Sequence, residues 1–221
     1  MEMKIKTIEK LQEKLEEDLS WRKKELINIK TLIEDETNNI DKNILIRSGI
    51  ALLCAHWEGY IRYVANMYIV YICNINIKTK ELKENFLALL LRKDIVSSGM
   101  TEKTSVHIRL IDKIKDIREN KFYIRYSEDN RIIKTNSNLS YELFNEILKS
   151  INIENKYELK KNYIDYNLLK RRHEIVHGEK TEFEIEDFIS TFNIITNILE
   201  EFKDQVISAA ENKVYLKENL G

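Results

Sequence analysis

The chain has 221 residues, 43% of them hydrophobic, enough to bury a substantial core in one domain, taken as residues 1–221. Charged residues make up 33% and nearly cancel, leaving a formal net charge of −1, which excludes a polybasic nucleic-acid coat and confines any RNA or DNA contact to a local patch. Pro is absent and Gly numbers only 5, so long uninterrupted helices are favoured and the expected class is all-α.

The start, Met1-Glu-Met-Lys-Ile-Lys6, lacks the apolar core of a signal peptide, and the expected location is cytoplasmic. From Ile5 the apolar positions Ile8, Leu11, Leu15, Leu19, Leu26, Ile29 and Ile33 recur at helical spacing, predicting one long amphipathic helix that ends within 35–39. A short connection then predicts an antiparallel second helix over about 41–74, apolar around most of its circumference. Its most apolar stretch, Ile44 to Ile77, is interrupted by Arg47, His56, Glu58 and Arg62, and so falls short of the roughly 18 charge-free residues of a membrane span. Gly49 and Gly59 inside it mark close approach of a neighbouring helix. Cys54 and Cys73 lie in apolar surroundings without C-x-x-C spacing and read as small buried residues.

Helices are expected over 82–95, stopping before Ser97-Ser-Gly-Met100, and over 105–119. Aromatic and β-branched residues around a polar turn, Phe122 to Lys134, suggest a small hairpin insert. Further helical segments follow over 140–148 and 157–177. A last long helix, opened by Thr181-Glu-Phe-Glu184 as a capping box, carries Ile185, Phe188, Phe192, Ile195, Leu199, Phe202 and Val206 on one stripe. The architecture expected is an antiparallel helical bundle with long N- and C-terminal helices.

Chemistry concentrates in Leu168-Leu-Lys-Arg-Arg-His-Glu-Ile-Val-His-Gly178. Two motifs overlap there: R-x-x-x-x-H, from Arg172 to His177, and H-E-x-x-H, from His173, Glu174 and His177. The second is a zinc-protease pattern, with the histidines as ligands and Glu174 as base. It needs a third protein ligand, yet Gly178-Glu-Lys-Thr-Glu-Phe183 offers no further histidine; Glu200 and Glu201 downstream are the candidate carboxylates. The first motif suits phosphodiester cleavage. A guanidinium such as Arg172 can hold two phosphoryl oxygens, and an imidazole such as His177, titrating near neutrality, can move a proton. On a regular helix the two side chains leave about 140° apart, so they share a face only if the helix ends there or the Arg reaches around, and Gly178 supplies such an end. Lys170 and Arg171 add local positive charge for RNA.

The segment Leu168 to Glu179 resembles the catalytic helix of the RiboL-PSP-HEPN group within the HEPN superfamily of ribonucleases, where an Arg, a polar residue, an apolar pair and His-Gly recur. Leu52-Leu-Cys-Ala-His-Trp-Glu-Gly-Tyr-Ile61 is similar to the Trp-Glu-aromatic stretch of that group's early helix, and the order of helices agrees. One departure is His173, where many members carry Asn. The resemblance implies a single HEPN-like helical domain and a metal-independent endoribonuclease of toxin or phage-defence type, needing no cofactor. It implies catalytic roles for Arg172 and His177, supporting roles for His173, Arg171 and Glu58, and RNA binding by Lys170. It further implies a homodimer whose two catalytic helices face each other across one cleft, 2′,3′-cyclic phosphate products, and restraint by an antitoxin or a defence-system partner.

Bland readings stand beside these. His56 and His107 are more readily structural, Glu58 and Arg62 are spaced for an intrahelical ion pair, and Trp57 and Tyr60 are more readily core than base-stacking. Two other functions stay open: a zinc hydrolase, and a non-catalytic RNA-, nucleotide- or partner-binding helical module.

Overall fold

A computed structural model of the chain describes residues 4–135 and 137–217; Met1–Met3, at the expected leaderless start, lie outside the described residues. The first helix, α1 (Ile8–Asp35), is capped by Thr7, whose hydroxyl accepts the Lys10 amide, and it buries Leu11, Leu15, Leu19, Leu26 and Ile33 along one stripe. Glu36 and Asn38 then organise a tight reversal. The Glu36 carboxylate accepts the amides of Thr37 and Asn38, and the Asn38 side chain accepts those of Ile40 and Asp41, capping α2 (Asn39–Asn74). Nearly every turn of α2 is buried, because α1 covers one side and α7 (Ile185–Glu211) another. α7 contributes Phe188, Phe192, Ile195, Leu199, Phe202 and Val206, the stripe expected from its spacing.

Gly49 of α2 is where these three helices meet. A Cβ there would lie 2.9 Å from the Ile33 and Phe188 side chains, so only glycine lets α1 and α7 close on α2 at this level. At Gly59 an added Cβ would lie 2.8 Å from the Arg22 guanidinium, the end of a long side chain.

Two helices form an arm: α3 (Glu84–Gly99) and α4 (Thr104–Glu119). α3 runs on through Ser97-Ser-Gly instead of stopping before it, and the His107 imidazole of α4 hydrogen-bonds the Ser98 and Thr101 carbonyls at its end. α4 buries no residue; the arm is tied at its base by Thr79 N–H to the Asn120 carbonyl and Phe122 N–H to the Ile77 carbonyl.

The hairpin expected over 122–134 is absent. The described residues contain no strand, only isolated bridges between Lys78 and Lys121 and between Leu82 and Leu216. The reason is that α2 supplies the partners a second strand would have supplied. Moving along the segment, Ile124 N–H meets Cys73 Sγ, the Asn66 side chain accepts the amides of Ile132 and Ile133 and donates to the Ile133 carbonyl, Thr135 donates to Glu58, and Trp57 donates to the Leu139 carbonyl. The segment thus runs antiparallel alongside α2, its polar groups met by α2 side chains.

After α5 (Tyr141–Ser150), capped by Ser140, the chain passes through a short 3₁₀ turn and winds as a π-helix over Tyr163–Lys170 before tightening into α6 (Arg171–Val176). Ile164 and Leu168 bury this π segment, and its Asp165 carboxylate accepts the Tyr141 amide. No helix among the described residues is long and apolar enough to cross a membrane.

Candidate active site

The motif helix α6 packs on α2 and ends in a specific turn. Gly178 has φ +73°, its amide bonds the Ile175 carbonyl, and the Glu179 amide bonds the Glu174 carbonyl. This pair of bonds around a left-handed glycine is the Schellman motif, and it makes His177 the C-cap residue. Beyond it, Arg47 of α2 donates to the carbonyls of Glu179 and Thr181. The capping box expected at Thr181 does not form. α7 begins later, with Glu184 at the cap position and no side-chain cap bond, because Arg47 holds the chain extended while Phe183 is drawn into the core.

Arg172 faces α2. It lines a cleft of about 390 Å³ with Ala51, Ala55, Glu58, Arg62 and Ser137. Ala51, Ala55 and Gly59, spaced four apart, form a floor of small side chains that leaves room above α2. Among the described residues Arg172 makes no hydrogen bond or ion pair, although Glu58 lines the same cleft. Glu58 is already engaged: it accepts from Thr135 at 2.6 Å and pairs with Arg62 at 3.4 Å. The i, i+4 ion pair of the sequence is therefore real, and Thr135 anchors it from 73 residues away.

His177 points elsewhere. It and His173 are both exposed, with ring centroids 4.1 Å apart, and neither lines the Arg172 cleft. Lys170 and Tyr166 are exposed on the same side, so Tyr166, Lys170, His173 and His177 form one stripe of solvent-facing side chains. The structure thus brings His173 to His177 and Glu58 to Arg172, as two groups on different sides of one short helix.

Arg171 is a tie between elements. It pairs with Asp187 of α7 at 2.6 Å and lies 5.4 Å over the Phe183 ring. His56 is buried between α1 and α2. Its Nε2 lies 2.7 Å from Glu25 and its Nδ1 3.3 Å from Arg22, which pairs in turn with Asp18. A guanidinium only donates, so Nδ1 accepts and Nε2 carries the proton to Glu25. Burial accordingly pulls His56 below the usual imidazole value, against the raising effect of Glu25. Trp57 and Tyr60 are fully buried, and burial pushes the thiols of Cys54 and Cys73 up to about 11, so both cysteines are unreactive.

For a metal, the donors do not gather. Among the described residues no group of three His, Cys, Asp or Glu side chains is placed to hold an ion. Glu200 is paired with Lys23 of α1, and Glu201 accepts from Asn197. Sequence reasoning missed the Arg62–Thr135 contact and the π winding ahead of α6; the only signal for the former was the Glu58/Arg62 spacing.

No curated protein and no solved structure matches the chain. The RiboL-PSP-HEPN family model matches residues 17–208, from the middle of α1 almost to the end of α7, spanning the bundle, the arm and the motif helix. The chain belongs to the RiboL-PSP-HEPN family.

Proposed function

We propose that this chain is a metal-independent endoribonuclease of toxin or defence type, acting as a homodimer, with Arg172 and His177 as its catalytic pair. One observation carries the reading: a guanidinium without an acceptor among the described residues lines an open cleft on the same short helix that ends in an exposed histidine. Family membership supports an RNase-type, RNA-related function. In the reaction the ribose 2′-oxygen attacks phosphorus, the bond to the 5′-oxygen breaks, and a 2′,3′-cyclic phosphate and a 5′-hydroxyl result. Arg172 takes the charge developing on the non-bridging oxygens. One proton leaves the 2′-hydroxyl and one must reach the 5′-oxygen, a task for His177 with His173 beside it. Lys170 meets the RNA, Glu58 sets the wall of the cleft, and Arg171 fixes α6 on α7.

A second copy of the chain fits this division. Arg172 and His177 leave the helix about 140° apart, so one copy's exposed stripe would complete the other's cleft.

The test is incubation with total cellular RNA in EDTA, with the new ends mapped. Wild type is expected to cleave and leave cyclic phosphate ends, and His177→Ala to be inactive; activity lost on chelation overturns the reading. A zinc hydrolase with His173 and His177 as ligands and Glu174 as base draws on the adjacency of the two rings. Stoichiometric zinc in the purified protein, lost in His173→Ala, would replace the ribonuclease reading with that one.

A further inference from the structure

Arg62 lines a second cleft besides that of Arg172, one of about 200 Å³ bordered also by Arg22, Arg131, Tyr63, Tyr126 and Glu128. Gly59 and Arg62 border both clefts. We propose that Arg62 and Arg131 bind successive phosphates of a single RNA strand as it runs from the Arg172 cleft into this second one. The inference deepens the ribonuclease reading and rests on it for the identity of the strand.

Charge is the first argument. Four guanidiniums, of Arg22, Arg62, Arg131 and Arg172, line the two clefts together with three carboxylates. Each carboxylate already has its partner: Asp18 holds Arg22, Glu58 holds Arg62, and Glu128 holds Arg131 at 3.1 Å. The surplus positive charge falls on Arg172. Donor geometry is the second. Both contacts of Arg62 are made through one nitrogen, to Glu58 and Thr135, which leaves the rest of its fork without an acceptor among the described residues. Burial, with the neighbouring charges of Arg131 and Arg22, lowers its pKa despite Glu58 and Glu128. A phosphate would add a counter-charge there and accept two N–H bonds from one fork. Shape is the third. Small concave clefts edged by arginine and tyrosine suit a splayed single strand, whereas a duplex is met across a wide, shallow groove.

The probe is a fluorescein-labelled 2′-deoxy octanucleotide, which lacks the attacking hydroxyl and stays intact, titrated by anisotropy over a salt series. Arg62→Ala and Arg131→Ala are each expected to weaken binding about tenfold, with the slope of log K against log salt reduced by about 0.7 per lost contact. Arg62→Lys should keep the slope, because it keeps the charge. Arg109→Ala, on the arm helix α4, should bind as wild type, and melting curves check that each variant folds. Wild-type binding by Arg62→Ala and Arg131→Ala, or an unchanged salt slope, overturns the track, as does failure of the wild type to bind the probe. The two readings fail separately. Cleavage that depends on His177 with no binding loss at Arg62 leaves the ribonuclease and removes the track; binding that depends on both arginines without any RNA cleavage does the reverse.

Discussion

Arg22 and His56 sit between α1 and α2, and Arg172 and His177 sit on α6 and at its C-cap; both pairs are an arginine and a histidine borne by the helical bundle. In the first, the guanidinium and both imidazole nitrogens have protein partners. Asp18 takes the guanidinium, Arg22 and Glu25 take the two imidazole nitrogens, and the Trp21 ring lies 5.2 Å from that of His56 and 4.5 Å from the Arg22 guanidinium. In the second, the arginine has no protein acceptor among the described residues and the histidine faces solvent. Residue type alone does not mark a site. What separates the two pairs is that the second leaves its side chains open to a ligand while the first spends them inside the protein.

The largest effect that could break this comparison is an exchange of phenotypes. His177→Ala is expected to cut cleavage by about 10³-fold with an unchanged melting temperature, while His56→Ala should cost about 2 kcal/mol of stability and leave the rate per folded molecule near wild type. Cleavage assays beside thermal melts read both; a stable, inactive His56→Ala would undo the distinction. Next comes Arg172→Lys. A point charge cannot reproduce a two-oxygen grip, so kcat/KM should fall by about 10²-fold with little change in binding of the uncleavable strand.

A smaller effect sharpens the buried side of the comparison. The pKa of His56 is lowered by folding, so as pH falls past the ordinary value of 6.5 the unfolded chain takes up a proton that the folded chain refuses. Its contribution to stability is therefore present above that pH and lost as pH drops toward the depressed folded value. Asp18, Arg22 and Glu25 of α1 are the charged groups that face it. Melting temperature followed from pH 7.5 to 5.5 should fall less steeply in His56→Asn than in wild type. The smallest change is expected for His173→Asn, which keeps a polar donor beside His177 and should slow cleavage by less than about tenfold.

How much of this was legible in the sequence depended on how local the cause was. The stripes of α1 and α7 follow from spacing, and the crowded glycine at 49 announced the meeting of helices before any coordinate did. The motif helix and its end at Gly178 were legible for the same reason, since the Schellman turn is set by one glycine and its neighbours. The hairpin was misread because the partners of Ile132 and Ile133 come from Asn66, more than sixty residues earlier, and no local pattern records them. Glu58 and Arg62 looked like a self-sufficient pair for the matching reason: Thr135, which turns them into the wall of a cleft, lies 77 residues from Glu58. The π winding coincides with the burial of Ile164 and Leu168 and with the bond from the Tyr141 amide to Asp165, tertiary facts that no local pattern records.

Arg47 gives the end of α6 a temporal consequence. With the Gly178 turn bonded back onto the helix and the next carbonyls held by α2, the backbone around His177 is tied on both sides. The remaining freedom is rotation of exposed side chains, on the picosecond to nanosecond scale, far faster than loop closure. An RNA strand arriving at this helix end would therefore meet a backbone that α2 already holds in place.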